Sequence, residues 1–108
     1  MIVQHAILRI RQGVSDGFEA ALRDAIPLIA ASPGFCGIEV RPACETVGFY
    51  LLRIFWDDIA SHREGFHKSD RFQAVRDLLL PFYEPWPDVS YFGEPIVEMR
   101  PISHKPAL

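Results

Sequence analysis

The sequence predicts an α+β fold, a single antiparallel sheet with helices on one face in the ferredoxin-like arrangement. Two observations point there first. Short Val-, Ile- and aromatic-rich stretches bounded by turn residues alternate with longer stretches whose apolar residues recur at helical spacing. Their order along the chain is strand, helix, strand, strand, helices, strand. A third observation extends the reading to assembly. The third strand stretch is apolar on both faces, so both faces need cover. Helices cover one. A second copy is the simplest cover for the other, which predicts a homodimer whose sheets face each other as a dimeric α/β barrel.

The first strand is "IVQHAILRI", Ile2 to Ile10, followed by the break "RQGVSDG". Ser15 and Asp16 suit a helix N-cap region, and Phe18, Leu22, Ala25, Ile26 and Ile29 then repeat at helical spacing. Pro27 interrupts that helix and "SPG" ends it. "FCGIEVRPAC", Phe35 to Cys44, is the second strand, and "ETVG" is a tight turn. "VGFYLLRIFW", Val47 to Trp56, is the third, nearly all β-branched or aromatic. These two pair as an antiparallel hairpin. Asp57 or Asp58 can cap a second helix that runs to about Lys68. Ser69 starts another, with Phe72, Val75, Leu79 and Phe82 on one face, and Pro81, Pro85 and Pro87 end it. "DVSYFGEPIVEM", Asp88 to Met99, is the last strand. The expected domain spans 1–97, and 98–108 form a Pro-rich C-terminal tail.

With 108 residues the chain suits one domain, and its 49% apolar content excludes a disordered class. Eight Phe, three Tyr and two Trp can fill a core and also wall a pocket for a flat organic molecule. A net charge of −3 without a basic stripe argues against nucleic acid as a partner. No apolar run is long enough to span a membrane, and "MIVQHAILRIRQG" is unlike a signal peptide, so a cytoplasmic location is expected. Cys36 and Cys44 share parity on one strand and cannot bridge while it is extended; free, buried thiols are the expectation. The four His show no HExxH or CxxC spacing, so no metal site is expected. A nucleophilic triad motif and a dinucleotide fingerprint are also missing from the sequence.

The stretch "FWDDIASHREGFHKSDRF" carries the candidate chemistry. On a helix, Ile59, His62 and Phe66 fall at i, i+3 and i+7 and share the inward face. Glu64 and Lys68 pair elsewhere, and His67 falls to the side, on the surface. Alternation puts Tyr50, Leu52, Ile54 and Trp56 on one face of strand three. Arg76 sits beside the apolar stripe of the last helix. Trp56, His62 and Arg76 can therefore line one cleft, which suits an aromatic ligand bearing oxygen: the indole stacks, the guanidinium binds an enolate or phenolate, the imidazole moves a proton.

Here the chain resembles the antibiotic biosynthesis monooxygenase (ABM) family of small dimeric α+β barrels. The similarity covers nearly everything from Ile2 to Ile96. It rests on "PGF" opening strand two, on "RIFWDDIASHREGFHKS", and on "LLLPFYEPWPDVSYF". In the branch that oxidises aromatic polyketides to quinones without a cofactor, the resemblance implies active-site roles at Trp56 and Arg76. That branch has Tyr at the position of His62 and Asn at that of Leu52. In the haem-degrading branch the outer-helix Trp falls at Phe66 and the haem-ligating His at Arg76, which cannot ligate iron.

The functional expectation is thus a cofactor-independent monooxygenase acting with O2 on an aromatic or enolisable small molecule. His62 is the base, Arg76 the anion stabiliser and Trp56 the stacking wall. Leu52, Tyr50, Phe66, Phe72 and Tyr83 are the candidate substrate-binding residues. The alternatives are a non-catalytic small-molecule-binding dimer of the same fold and a structural dimer with no ligand.

Overall fold

A computed structural model describes residues 1–101; the part of the expected tail at 102–108 lies outside the described residues. Strand β1 (Ile2–Arg9) leads to helix α1 (Ser15–Ala30), then strands β2 (Phe35–Pro42) and β3 (Phe49–Trp56). A π-helical segment, Ser61–Phe66, precedes helix α2 (Asp70–Leu79), a 3-10 turn at Leu80–Phe82 and strand β4 (Ser90–Phe92). The strands form one antiparallel sheet in the order β2-β3-β1-β4. This is the ferredoxin-like topology expected from the sequence.

The capping residues act largely as their chemistry dictates. Ser69 accepts from the Phe72 amide and opens α2. Asp58 accepts from both the amide and the hydroxyl of Ser61 at 2.8 Å, which starts the segment after β3. At α1 the expected cap is corrected. Val14 is the N-cap and makes no side-chain bond, while Ser15 is already helical. Pro27 does not end α1, which runs on to Ala30.

The last strand is far shorter than Asp88 to Met99, and the pairing explains why. Phe92 lies opposite Val3, so β4 reaches the start of β1 and runs out of partner. Glu94 ends up holding the N-terminal amine at 2.7 Å. Beyond it Ile96, Val97 and Met99 are exposed. At the other end, Pro85 and Pro87 lack the amide protons that pairing needs.

The even-numbered residues of β1 and β3 face the helices. Ala6, Leu8, Tyr50, Ile54 and Trp56 are buried there with Phe18, Leu22, Ala25, Ile29, Val75 and Leu79. Among the described residues the opposite sheet face has no helix over it. It carries Val3, Ile7, Phe49, Leu51, Phe55 and Phe92 around an ion network in which Arg41 and Arg53 both donate to Glu39. Cys36 and Cys44 are free and exposed, not buried as expected. A bulge between Phe35 and Gly37 explains Cys36: its thiol is turned outward, near the Asp57 carboxylate at 3.3 Å. No helix among the described residues is long and apolar enough to cross a membrane.

Candidate functional site

A cavity of about 120 Å3 opens between the sheet and the helices. Leu52 and Ile54 of β3 form its floor with Gln4 and Ala6 of β1; Phe72, Val75 and Leu79 of α2 form one wall. His62, Phe66 and His67 close one end, and Tyr83, Trp86 and Val89 the other. Four of the five expected substrate-binding residues, Leu52, Phe66, Phe72 and Tyr83, therefore line one cavity. Tyr50 does not. It lies further along β3, where its hydroxyl donates to Glu19 of α1 at 2.7 Å and it borders a different groove.

His62 is buried, with 6% of its surface exposed. Its pKa falls from 6.5 to about 4, chiefly because burial disfavours the charged ring, with repulsion from His67 and Arg63 adding to this. The imidazole is thus neutral around pH 7. Nδ1 is hydrogen-bonded to the hydroxyl of Tyr91 at 2.6 Å. Tyr91 stands opposite Gln4 in the β1–β4 register, which puts it on the helix side of the sheet. Burial also pushes the Tyr83 phenol well above its usual range, so it stays protonated.

Trp56 is the first correction to the expected site. It is fully buried and does not line the cavity. Its ring lies behind His62 and Phe66, at 5.7 and 6.1 Å between centroids, and its Nε1–H donates to Gln4 Oε1 at 2.9 Å. It backs the site and offers no face to a ligand. The reason is the β3 terminus: Trp56 pairs with both Ile2 and Phe35, so a strand lies on each side of it.

Arg76 is the second correction. It is exposed on α2 and absent from the cavity lining. The helical stripe that turns Phe72, Val75 and Leu79 inward turns Arg76 out to water. Arg71 is the α2 arginine that reaches inward, donating to Ser32 at 3.0 Å while its Nε is buried without a partner.

His67 is the third. It is exposed, as expected, yet it borders the cavity and its ring lies 4.2 Å from that of Phe72. Regular helical spacing could not foresee this, because the segment is π-helical and widens the turn. Sequence reasoning also missed Tyr91, Gln4 and Trp86. "VSYF" marks Tyr91 as a strand residue, but only the register with β1 sets it against His62.

Fold and site together define a small α+β protein with an aromatic cavity and one neutral, buried histidine at its end. The sequence profile of the antibiotic biosynthesis monooxygenase family matches residues 1–78, and the chain belongs to that family. YczJ of Bacillus subtilis, an uncharacterised protein, is 35% identical over 94 residues, covering 87% of this chain and 99% of its own. A Bordetella bronchiseptica structure, named as a presumptive antibiotic biosynthesis monooxygenase, superposes with a TM-score of 0.82 at 28% identity over 88% of this chain and 97% of its own. SnoaB of Streptomyces nogalater, a cofactor-independent oxygenase, gives 0.78 at 14% identity over 89% and 94%, which speaks to the fold alone.

Proposed function

We propose that the protein is a cofactor-independent oxygenase that oxidises a single-ring aromatic or other enolisable small molecule with O2. The carrying observation is the cavity: an apolar, aromatic wall with a neutral imidazole at one end. Removed from water, an enolate keeps its electron density available for O2. Converting a methylene to a carbonyl with one O2 releases one water, so the substrate itself supplies the electrons. The volume limits the ligand. A dry cavity of roughly 150 Å3 holds benzene, whereas drug-sized ligands occupy about 300–1,000 Å3. This cavity, at about 120 Å3, suits one ring.

In this reading His62 meets the oxygen of the substrate. Leu52, Phe66, Phe72 and Tyr83 enclose the ring, and Trp56 holds the end of the site in place from behind. Arg76, on the outside of α2, takes no part. The functional unit is residues 1–97, assembled as a homodimer over the uncovered sheet face, in the cytoplasm.

A non-catalytic binding module of the same fold is the second reading. The low pKa of His62 favours it, because an imidazole at about 4 is a weak base. Oxygen uptake with single-ring hydroquinones, phenols and cyclic 1,3-diketones separates the two. Uptake matching product without added reductant, and reduced about 10- to 100-fold in His62→Ala, supports the oxygenase. Saturable binding with no uptake supports the module.

A further inference from the structure

We infer that Tyr91 positions His62 by donating its hydroxyl proton to Nδ1, so that the imidazole presents Nε2–H to the cavity as a neutral hydrogen-bond donor. The inference deepens the proposed function, since it rests on taking the cavity as the substrate site, and it replaces the expected base with a donor.

Chemistry favours one direction of the bond. A phenol hydroxyl is a stronger donor than acceptor, and the bare nitrogen of a neutral imidazole is a better acceptor than a phenol oxygen. The Tyr91 hydroxyl and Nδ1 lie 2.6 Å apart, within hydrogen-bond reach. The proton on this bond therefore belongs to the phenol, and the ring proton belongs to Nε2. Tyr91 occupies Nδ1, which leaves Nε2 as the ring nitrogen free to meet a ligand, and His62 lines the cavity. Among the described residues the only buried side-chain N or O atom without a partner is Arg71 Nε, so Nε2 is not sealed in protein.

The surrounding charges favour the same arrangement. The Arg63 guanidinium sits over the Tyr91 ring at 5.2 Å, held by the electron-rich face of the phenol. The other titratable group that acts on the imidazole is His67, from the same segment. Neither is a carboxylate. A histidine that cycles through imidazolium is ordinarily backed by an acidic group on its other nitrogen. Here a phenol stands in that place, with the Arg63 guanidinium over its ring. A donor role needs no charge on the ring, and a base role would.

A substrate class follows. Nε2–H recognises an acceptor oxygen, either a carbonyl or an oxygen already ionised. The fitting substrates are enols and phenols acidic enough to ionise near neutral pH without help from the protein, and the cavity then holds the anion by its oxygen.

Two measurements test this. The first is the 15N spectrum of the imidazoles in the ligand-free protein, with His62 assigned from His62→Gln. The expected result is a neutral His62 protonated on Nε2, whose bare Nδ1 resonance moves downfield in Tyr91→Phe as its hydrogen bond is lost. A proton on Nδ1 in the wild type overturns the inference, as does an unmoved Nδ1 resonance in a folded Tyr91→Phe. The wild-type spectrum decides even if that variant does not fold. The second is turnover of His62→Gln, whose amide can donate but cannot accept a proton as a base. It should keep activity within about tenfold, whereas loss of a general base costs roughly 10²–10⁴. A loss of the larger size overturns the donor role. The two proposals can fail separately: Nε2–H without oxygen uptake sinks the oxygenase alone, and uptake with a proton on Nδ1 sinks this inference alone.

Discussion

The backbone N–H of His67 donates to the carbonyl of His62 at 2.8 Å, a bond that spans five residues. An α-helix would close the bond on residue 66 instead and send the two imidazoles to different faces. The wider π turn sets one above the other, edge to face at 6.0 Å between centroids. His67 thereby joins the cavity rim and becomes an electrostatic neighbour of His62.

That neighbour is expected to be measurable. Burial is the larger cause of the low His62 pKa, and repulsion from His67 comes next. His67→Gln should raise the His62 pKa from about 4 toward 6.5 without reaching it. An NMR pH titration of the imidazole carbons reads this directly. An unmoved His62 pKa in the variant would mean that the two rings do not sense each other.

Folding stability should fall in acid through the same group. The unfolded chain binds a proton at His62 near pH 6.5, and the folded protein only near 4. Between those values the unfolded state carries more protons, so stability rises with pH across the window and is lost as pH falls through it. The full effect is about 3 kcal/mol. Urea midpoints taken from pH 7 to pH 4 should decline less in His62→Gln than in the wild type. Parallel declines would rule out His62 as the origin.

Trp56→Phe should destabilise the protein by about 1–3 kcal/mol, because it strands the buried Gln4 amide. The bond it removes, Nε1–H to Oε1 at 2.9 Å, is wholly internal. Replacing both partners, Trp56→Phe with Gln4→Leu, should cost less than the two single changes together. Chemical denaturation of the four proteins supplies the cycle, and simple additivity would show that the pair is not coupled.

The two tryptophans should report differently on ligand. Trp56 is fully buried, whereas Trp86 is 41% exposed at the cavity rim with its ring against Tyr83. A phenolic ligand entering the cavity should alter Trp86 emission and leave that of Trp56 nearly unchanged. In Trp86→Phe the fluorescence response should vanish while binding, followed by calorimetry, persists. A response that survives the substitution would place the ligand elsewhere.

The proposed homodimer puts the uncovered face of the sheet at its centre. Leu51 lies between Ile7 and Arg41 in the register of that face. Leu51→Glu should convert a dimer to a monomer in light scattering while far-UV circular dichroism is retained, since a buried like-charge pair across a two-fold axis is costly. A wild-type protein that is monomeric at micromolar concentration would defeat this reading of the face.

Much of the cavity lining was legible because two periods carry it. Alternation along β3 places Leu52, and the helical stripe of α2 places Phe72. Phe66 and His62 lie four apart, and the widened turn left both facing inward. The failures also have physical causes. Arg76 shares a helix with the lining residues but not their stripe. Trp56 has the right parity but sits at a strand end enclosed by two neighbours. His67 needed the π turn, which no residue type announces.

The sequence by itself determined the order of elements, the antiparallel hairpin, the helix cap at Ser69, a second cap at Asp57 or Asp58, and the inward face of β3. These are local: each depends on the period of the side chains or on a short polar group beside an amide. Only the tertiary structure decided which of those inward residues meet. It cut β4 to Ser90–Phe92, because β1 offers no further partner beyond Val3 and Ile2. That same register carries Tyr91, 29 residues along the chain, to Nδ1 of His62. Long-range pairing of this kind is a property of the assembled sheet, in which one strand's start fixes where another must end.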